Sequence, residues 1–169
     1  MKILVISDTH GDTLIKEKVY QLYKDFDLFI HCGDYQILDY MMTPFLYVKG
    51  NCDYSLEAPL EQDIKTPIGK IHVEHGSSYL FINDPLEYIK SKNAKIFLVG
   101  HTHIPFVTRI DGTYLFNPGS LTRPRSTNFG TFLLIFIDEK TKEITYQFKA
   151  INLKTLDVSD YDIKNLNNS

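Results

Sequence analysis

The chain has 169 residues, 43% hydrophobic and 23% charged, with a net charge of −3; that composition is ordinary for a soluble globular protein, and the length suits one domain able to bury roughly 70% of its unfolded surface. The slight acidic balance argues against stable nucleic-acid binding, which usually shows as a basic excess. Two cysteines, Cys32 and Cys52, imply no disulfide framework and point to a reducing, cytoplasmic setting.

The N-terminal run KILVIS (2–7) meets Asp8 too soon to be a secretory h-region or a membrane span. It reads instead as a strand covered on both faces. Asp12 can cap a helix over 13–25, where Leu14, Ile15, Val19, Leu22, Tyr23 and Phe26 recur at helical spacing. DLFIHC (27–32) is a second apolar strand, 35–42 a short helix and FLYVK (45–49) a third strand. This alternation predicts a parallel sheet with right-handed crossovers.

The second half changes character. Segments 62–66 and 70–75 form a hairpin around Pro67-Ile68-Gly69, and Asp84-Pro85 with Glu87 marks the start of a helix over 85–92. KIFLV (95–99) is again a buried strand. Asp111-Gly112 is a two-residue hairpin turn, and 131–138 pairs with 143–149. The tail from 151 is polar and weakly patterned. No repeat or interdomain linker interrupts 1–169, which reads as a single domain.

Polar residues gather where the apolar strands end. Asp8 and His10 follow the first, Gly33-Asp34 the second, Gly50-Asn51-Cys52-Asp53 the third, His75-Gly76 the hairpin, and Gly100-His101-Thr102-His103 the strand at 95–99. Sites in α/β folds form just outside the carboxyl ends of strands. Each element alone is common, since Gly-Asp and Gly-Asn usually just mark turns; the information lies in five of them, each after a strand. Two carboxylates, a carboxamide and four imidazoles offer mixed N and O ligation without thiolate, which suits Mn, Fe, Ni, Co or Zn rather than Ca. Seven ligands exceed one four-coordinate zinc and suit two ions about 3.5–4 Å apart, one carboxylate bridging.

These five motifs, in this order, resemble the signatures of the calcineurin-like metallophosphoesterases over residues 1 to about 137. The length and NPGS (117–120) resemble the small YfcE-type phosphodiesterase branch. The resemblance implies an α/β fold in four layers, an αββα sandwich of two stacked mixed β-sheets flanked by helices. It implies that Asp8, His10 and His103 hold one divalent transition-metal ion, Mn first among the possibilities. Asn51, His75 and His101 then hold the other, and Asp34 bridges. The expected activity is a phosphodiesterase in which a metal-bridging hydroxide attacks phosphorus in line on a small phosphoester substrate. The catalytic set is Asp34, Asn51, Cys52 and Asp53, with Asp53 orienting a histidine.

Many family members carry His-Glu after Gly-Asn; Cys52-Asp53 here removes a proton donor and favours acidic leaving groups. The alternatives are a phosphomonoesterase or a protein-interaction scaffold, as in the retromer subunit of this fold, but a scaffold need not keep seven ligands. Strand alternation puts His72 on the solvent side, away from Ile71 and Val73. His31 is expected to support or pack rather than ligate. Asn117 is placed to hydrogen-bond near the site, and Arg123 or Arg125 to bind phosphate. The run TFLLIFI (131–137) or the tail would support a homodimer. No membrane partner is expected.

Overall fold

The computed structural model describes residues 1–78 and 82–163. Its first half contains β1 (Lys2–Ile6), α1 (Thr13–Leu22), β2 (Leu28–His31) and β3 (Leu46–Tyr47). β4 (Glu61–Thr66), β5 (Gly69–Glu74), α2 (Pro85–Ser91) and β6 (Ile96–Leu98) follow. The hairpin β7 (Phe106–Ile110) and β8 (Thr113–Asn117) precedes β9 (Gly130–Ile137), β10 (Ile144–Ile151) and β11 (Val158–Asp160).

The strands make two sheets, one ordered β11-β10-β9-β1-β2-β3 and the other β4-β5-β6-β8-β7. β1, β2 and β3 run parallel, as do β5, β6 and β8; hairpins add antiparallel strands on the outside of each set. Alternation along the strands explains the layers. Ile3, Val5 and Ile30 meet Ile71, Val73, Ile96, Leu98 and Phe116 between the sheets. Leu4 and Ile6 point the other way, onto Ile15 and Val19 of α1, and Phe97 and Val99 onto Ile89 of α2. The expected four-layer αββα sandwich of two mixed sheets is the observed architecture.

Local chemistry accounts for most boundaries. Asp12 Oδ1 accepts from Ile15 N at 3.0 Å to start α1, and Asp84 Oδ1 from Glu87 N at 3.0 Å to start α2. Asp111 and Gly112 both have positive φ, 47° and 86°, as a tight hairpin turn of the right twist demands. Three expectations need correction. Segment 35–42 is no regular helix; Gln36 sits at φ 51° and only a 3₁₀ turn at Asp39–Met42 forms before Pro44. The third strand shrinks to two residues at a sheet edge. The tail contributes an edge strand, β11, paired with β10; its last part, 164–169, lies outside the described residues.

His72 also differs from expectation. It does face away from Ile71 and Val73, but that face is covered, and His72 is 1% exposed. The Phe97 ring lies 4.7 Å away. Asp63 Oδ1 stands 2.7 Å from Nδ1 and Glu74 Oε2 3.2 Å from Nε2, and Tyr88 from α2 donates to Glu74. Alternation reports which face a side chain takes, not whether a helix covers it. The run TFLLIFI lies inside the first sheet, since β9 is hydrogen-bonded to β1 on one side and β10 on the other.

Candidate metal centre

The parallel strands of both sheets end at one place, and the chain turns sharply there. Asp8, His10, Asp34, Gln36, His101 and His103 all have φ between 42° and 64°. That left-handed region is unusual for side chains with a Cβ, and such strain clusters at functional sites. Backbone bonds tie the loops together: Asp8 N to Gly33 O and His10 N to Asp34 O at 3.0 Å, and Gly100 N to His75 O at 3.1 Å.

The first group is Asp8, His10 and His103. His103 Nε2 stands 3.1 Å from Asp8 Oδ1 and 3.3 Å from His10 Nε2. Both imidazoles are oriented from behind. His10 Nδ1 bonds Gln36 Oε1 at 2.8 Å, and His103 Nδ1 bonds the carbonyl of Arg123 at 2.6 Å. Those oxygens only accept, so each Nδ1 donates and each ring turns its Nε2 toward its neighbour. Asp8 Oδ2 is held by Ser7 Oγ and the amide of His101; Oδ1 is buried and makes no hydrogen bond.

The second group is Asp34, Asn51 and His75. His75 Nδ1 donates to the Cys32 carbonyl at 2.7 Å, and its Nε2 faces Asn51 Oδ1 at 3.1 Å and Asp34 Oδ2 at 3.5 Å. His101 lies beside it, the two rings 5.2 Å apart between centroids. One cavity of about 320 Å³ exposes His10, Asp34, Asn51, Cys52, His101 and His103 together with Arg123 and Arg125.

The electrostatics describe a site built for cations. Burial alone would raise the Asp34 carboxyl, but the hydrogen bond and charge of His75 and the amide of Cys52 outweigh it, holding it well below the usual carboxylate range. Burial works to lower His75, yet the same pairing with Asp34 raises it. Burial and the nearby Asp34 carboxylate push the Cys52 thiol up. Two carboxylates, Asp8 and Asp34, are at most 2% exposed and lie close together beside His75, an arrangement that is costly without compensating cations. Asp8 Oδ1, which makes no hydrogen bond, and the Nε2 atoms facing it are what divalent ions would satisfy. This donor set therefore fits them.

The supporting residues are partly those expected. His31 is buried, and burial drops its pKa to about 3. Its Nδ1 accepts from Gly33 N and its Nε2 meets Thr9 Oγ1 at 3.0 Å, so the neutral ring staples two loops and does not ligate. Asn117 does bond near the site, donating to Gly100 O at 2.6 Å and Thr102 Oγ1 at 3.0 Å. Asp53 corrects an expectation. Its carboxylate accepts not from a histidine but from the amides of Asp34, Gln36 and Gly50, at 2.7–2.8 Å, so it positions the Asp34 loop. Gln36, Ser120 and Thr122 escape sequence reasoning. Ser120 and Thr122 hydroxyls bind the Asp8 carbonyl; NPGS pointed toward Ser120, but Gln36 and Thr122 carry no motif.

Residues 1–140 match the calcineurin-like phosphoesterase superfamily domain. The chain belongs to this superfamily. A probable metallophosphoesterase of Methanothermobacter thermautotrophicus is 32% identical over 152 residues, 83% of this chain and 88% of the relative. Among solved structures, Yfce, a phosphoesterase from E. coli, superposes with a TM-score of 0.67 at 19% identity, covering 96% of this chain and 100% of its own. Wild-type Vps29 from Entamoeba histolytica, complexed with Zn, gives 0.73 at 22% identity, covering 96% and 99%. At these identities the two structures share the fold. The metallophosphoesterase family also explains why side chains capable of holding metal collect in this cavity.

Proposed function

We propose that this metallophosphoesterase is a binuclear phosphodiesterase, the whole chain acting as one cytoplasmic domain. The observation that carries the reading is the cavity lined by His10, Asp34, Asn51, His101 and His103 with Arg123 and Arg125, against which Asp8 and His75 are buried beside His103 and Asp34. In this reading Asp8, His10 and His103 hold one ion, Asn51, His75 and His101 the other, and Asp34 lies between them. When bound, divalent ions such as Mn, Ni, Co, Fe or Zn lower the pKa of a coordinated water toward ~7 and offset charge on the phosphoryl oxygens.

The chain's own residues do the rest. Arg123 and Arg125, both exposed at the rim, present planar donors matched to phosphate oxygens. His10, His75 and His103 are fixed by bonds to their Nδ1 atoms, so their Nε2 atoms need no reorganisation. Asp53 keeps Asp34 from swinging. Cys52 lines the cavity where a stronger proton donor could have stood. Vps29 shares the fold, which gives the scaffold reading its footing, but the complete ligand set favours hydrolysis. Among the described residues no helix is long and apolar enough to cross a membrane.

Elemental analysis after loading with Mn or Ni is the first test. It should find about two ions per chain; saturation at one or fewer removes the binuclear reading.

A further inference from the structure

A second cavity has a volume of about 420 Å³. Gln36 links it to the metal centre: it lines this cavity while its Oε1 holds Nδ1 of His10, whose ring lines the first. The other side is Tyr54, two residues after Cys52. The lining is largely apolar, from Ile37, Leu38, Tyr40 and Tyr54. Leu38, Tyr40 and Tyr54 are 64%, 76% and 89% exposed, and exposed apolar groups grouped around a concavity mark a binding surface. The Asp39 carboxylate in the same cavity accepts from Tyr35 Oη at 2.8 Å and Ser55 Oγ at 2.5 Å, which fixes its position.

We infer that this cavity is the subsite for an aromatic ester group of the substrate, placed beside the phosphate by Gln36 and Tyr54. The inference rests on the phosphoesterase reading above and names its substrate class. The volume falls in the range of small-molecule sites, about 300–1,000 Å³. Tyrosine rings offer faces for stacking a flat ring, whereas Asp39 repels a second phosphate or carboxylate. An uncharged aromatic group attached to the phosphate that sits at the metals satisfies both constraints.

Calorimetric binding of phenyl phosphate and methyl phosphate to the Mn-loaded protein tests this without turnover. Phenyl phosphate should bind about tenfold tighter, the equivalent of one good ring contact. The double variant Leu38→Ala/Tyr54→Ala should bring the two within about twofold of each other. Equal affinities in the native protein, or a preference that survives in the double variant, would overturn the subsite and leave the phosphoesterase reading standing. If neither phosphate binds, that reading falls and the subsite with it. Sedimentation of both proteins covers the remaining occupant: a dimer abolished by the double variant would make this face an interface between copies and overturn the inference.

Discussion

His101 and His103 have only Thr102 between them yet lie at opposite ends of the cavity, His103 beside Asp8 and His10, His101 beside His75. Both sit at positive φ, 64° and 61°, and that turn is what separates the rings. The seven ligand-type side chains were legible because their chemistry recurs after strands. Gln36 and Thr122 were not, because a hydrogen bond to a ligand leaves no mark in spacing, and Asp53 was seen but mistaken for a partner of a histidine. If Asp34 bridges two ions as proposed, Asp34→Asn should lower kcat by roughly 10²-fold or more and reduce bound metal. His72→Ala should cost about 1–3 kcal/mol of stability and leave KM unchanged, because His72 lies on the outer face of the second sheet. Chemical denaturation beside steady-state kinetics separates the two; a matching loss of kcat in both variants contradicts the assignment. Cys52 supports another expectation. An aryl diester should exceed an alkyl monoester in kcat/KM, since general acid help is commonly worth about 10²–10⁴ and aryloxides need little of it. Cys52→His should then help alkyl esters more than aryl ones, and a native preference for the alkyl monoester would sink the diesterase reading.

At the scale of elements, the site depends on how closely the strand-end loops approach one another. Gly100 lies two residues beyond β6, where a Cβ would overlap Ser7 Oγ, come within 2.9 Å of Asp8 Oδ2 and touch the Cys32 carbonyl. Gly100→Ala should therefore push the β1 and β6 loops apart. Metal affinity should fall at least tenfold, with a stability loss of about 1–3 kcal/mol typical of overpacking; isothermal titration with Mn and thermal melts measure the two. Unchanged affinity would mean that the loops have slack. The buried strands β1, β2, β6 and β9 were legible because both their faces are apolar. β3 and β11 were blurred because two or three residues at a sheet edge carry too little pattern. The segment at 35–42 was misjudged for a local reason, the left-handed turn at Gln36 that carries its side chain to His10.

Across the whole molecule, the candidate centre joins two sheets that otherwise meet through the apolar layer of Ile3, Val5, Ile71, Val73 and their neighbours. Asp8, His10, Asp34 and Asn51 come from loops of the first sheet; His75, His101 and His103 come from the second. The layering was legible because strand alternation and strand order both carry it, whereas the cover over His72 depends on where α2 packs. Ions held by both sets of loops bind only when the sheets are correctly stacked, so they stabilise the folded state by mass action. Free Mn at 100 times its dissociation constant should add about 2.7 kcal/mol for one site. For a domain of this size each kcal/mol moves Tm by roughly 2–4 °C, so saturation should raise Tm by about 5–10 °C and chelation should reverse the rise. The shift should grow with the logarithm of Mn concentration and shrink in Asp34→Asn, which weakens both sites at once. Melting curves recorded over a Mn series decide the matter. A Tm indifferent to Mn and chelator would mean that the loops do not hold metal between the sheets, and the candidate centre would lose its physical basis. A rise equally large in Asp34→Asn would confine the effect to ligands from one group, and Asp34 would no longer be the bridge.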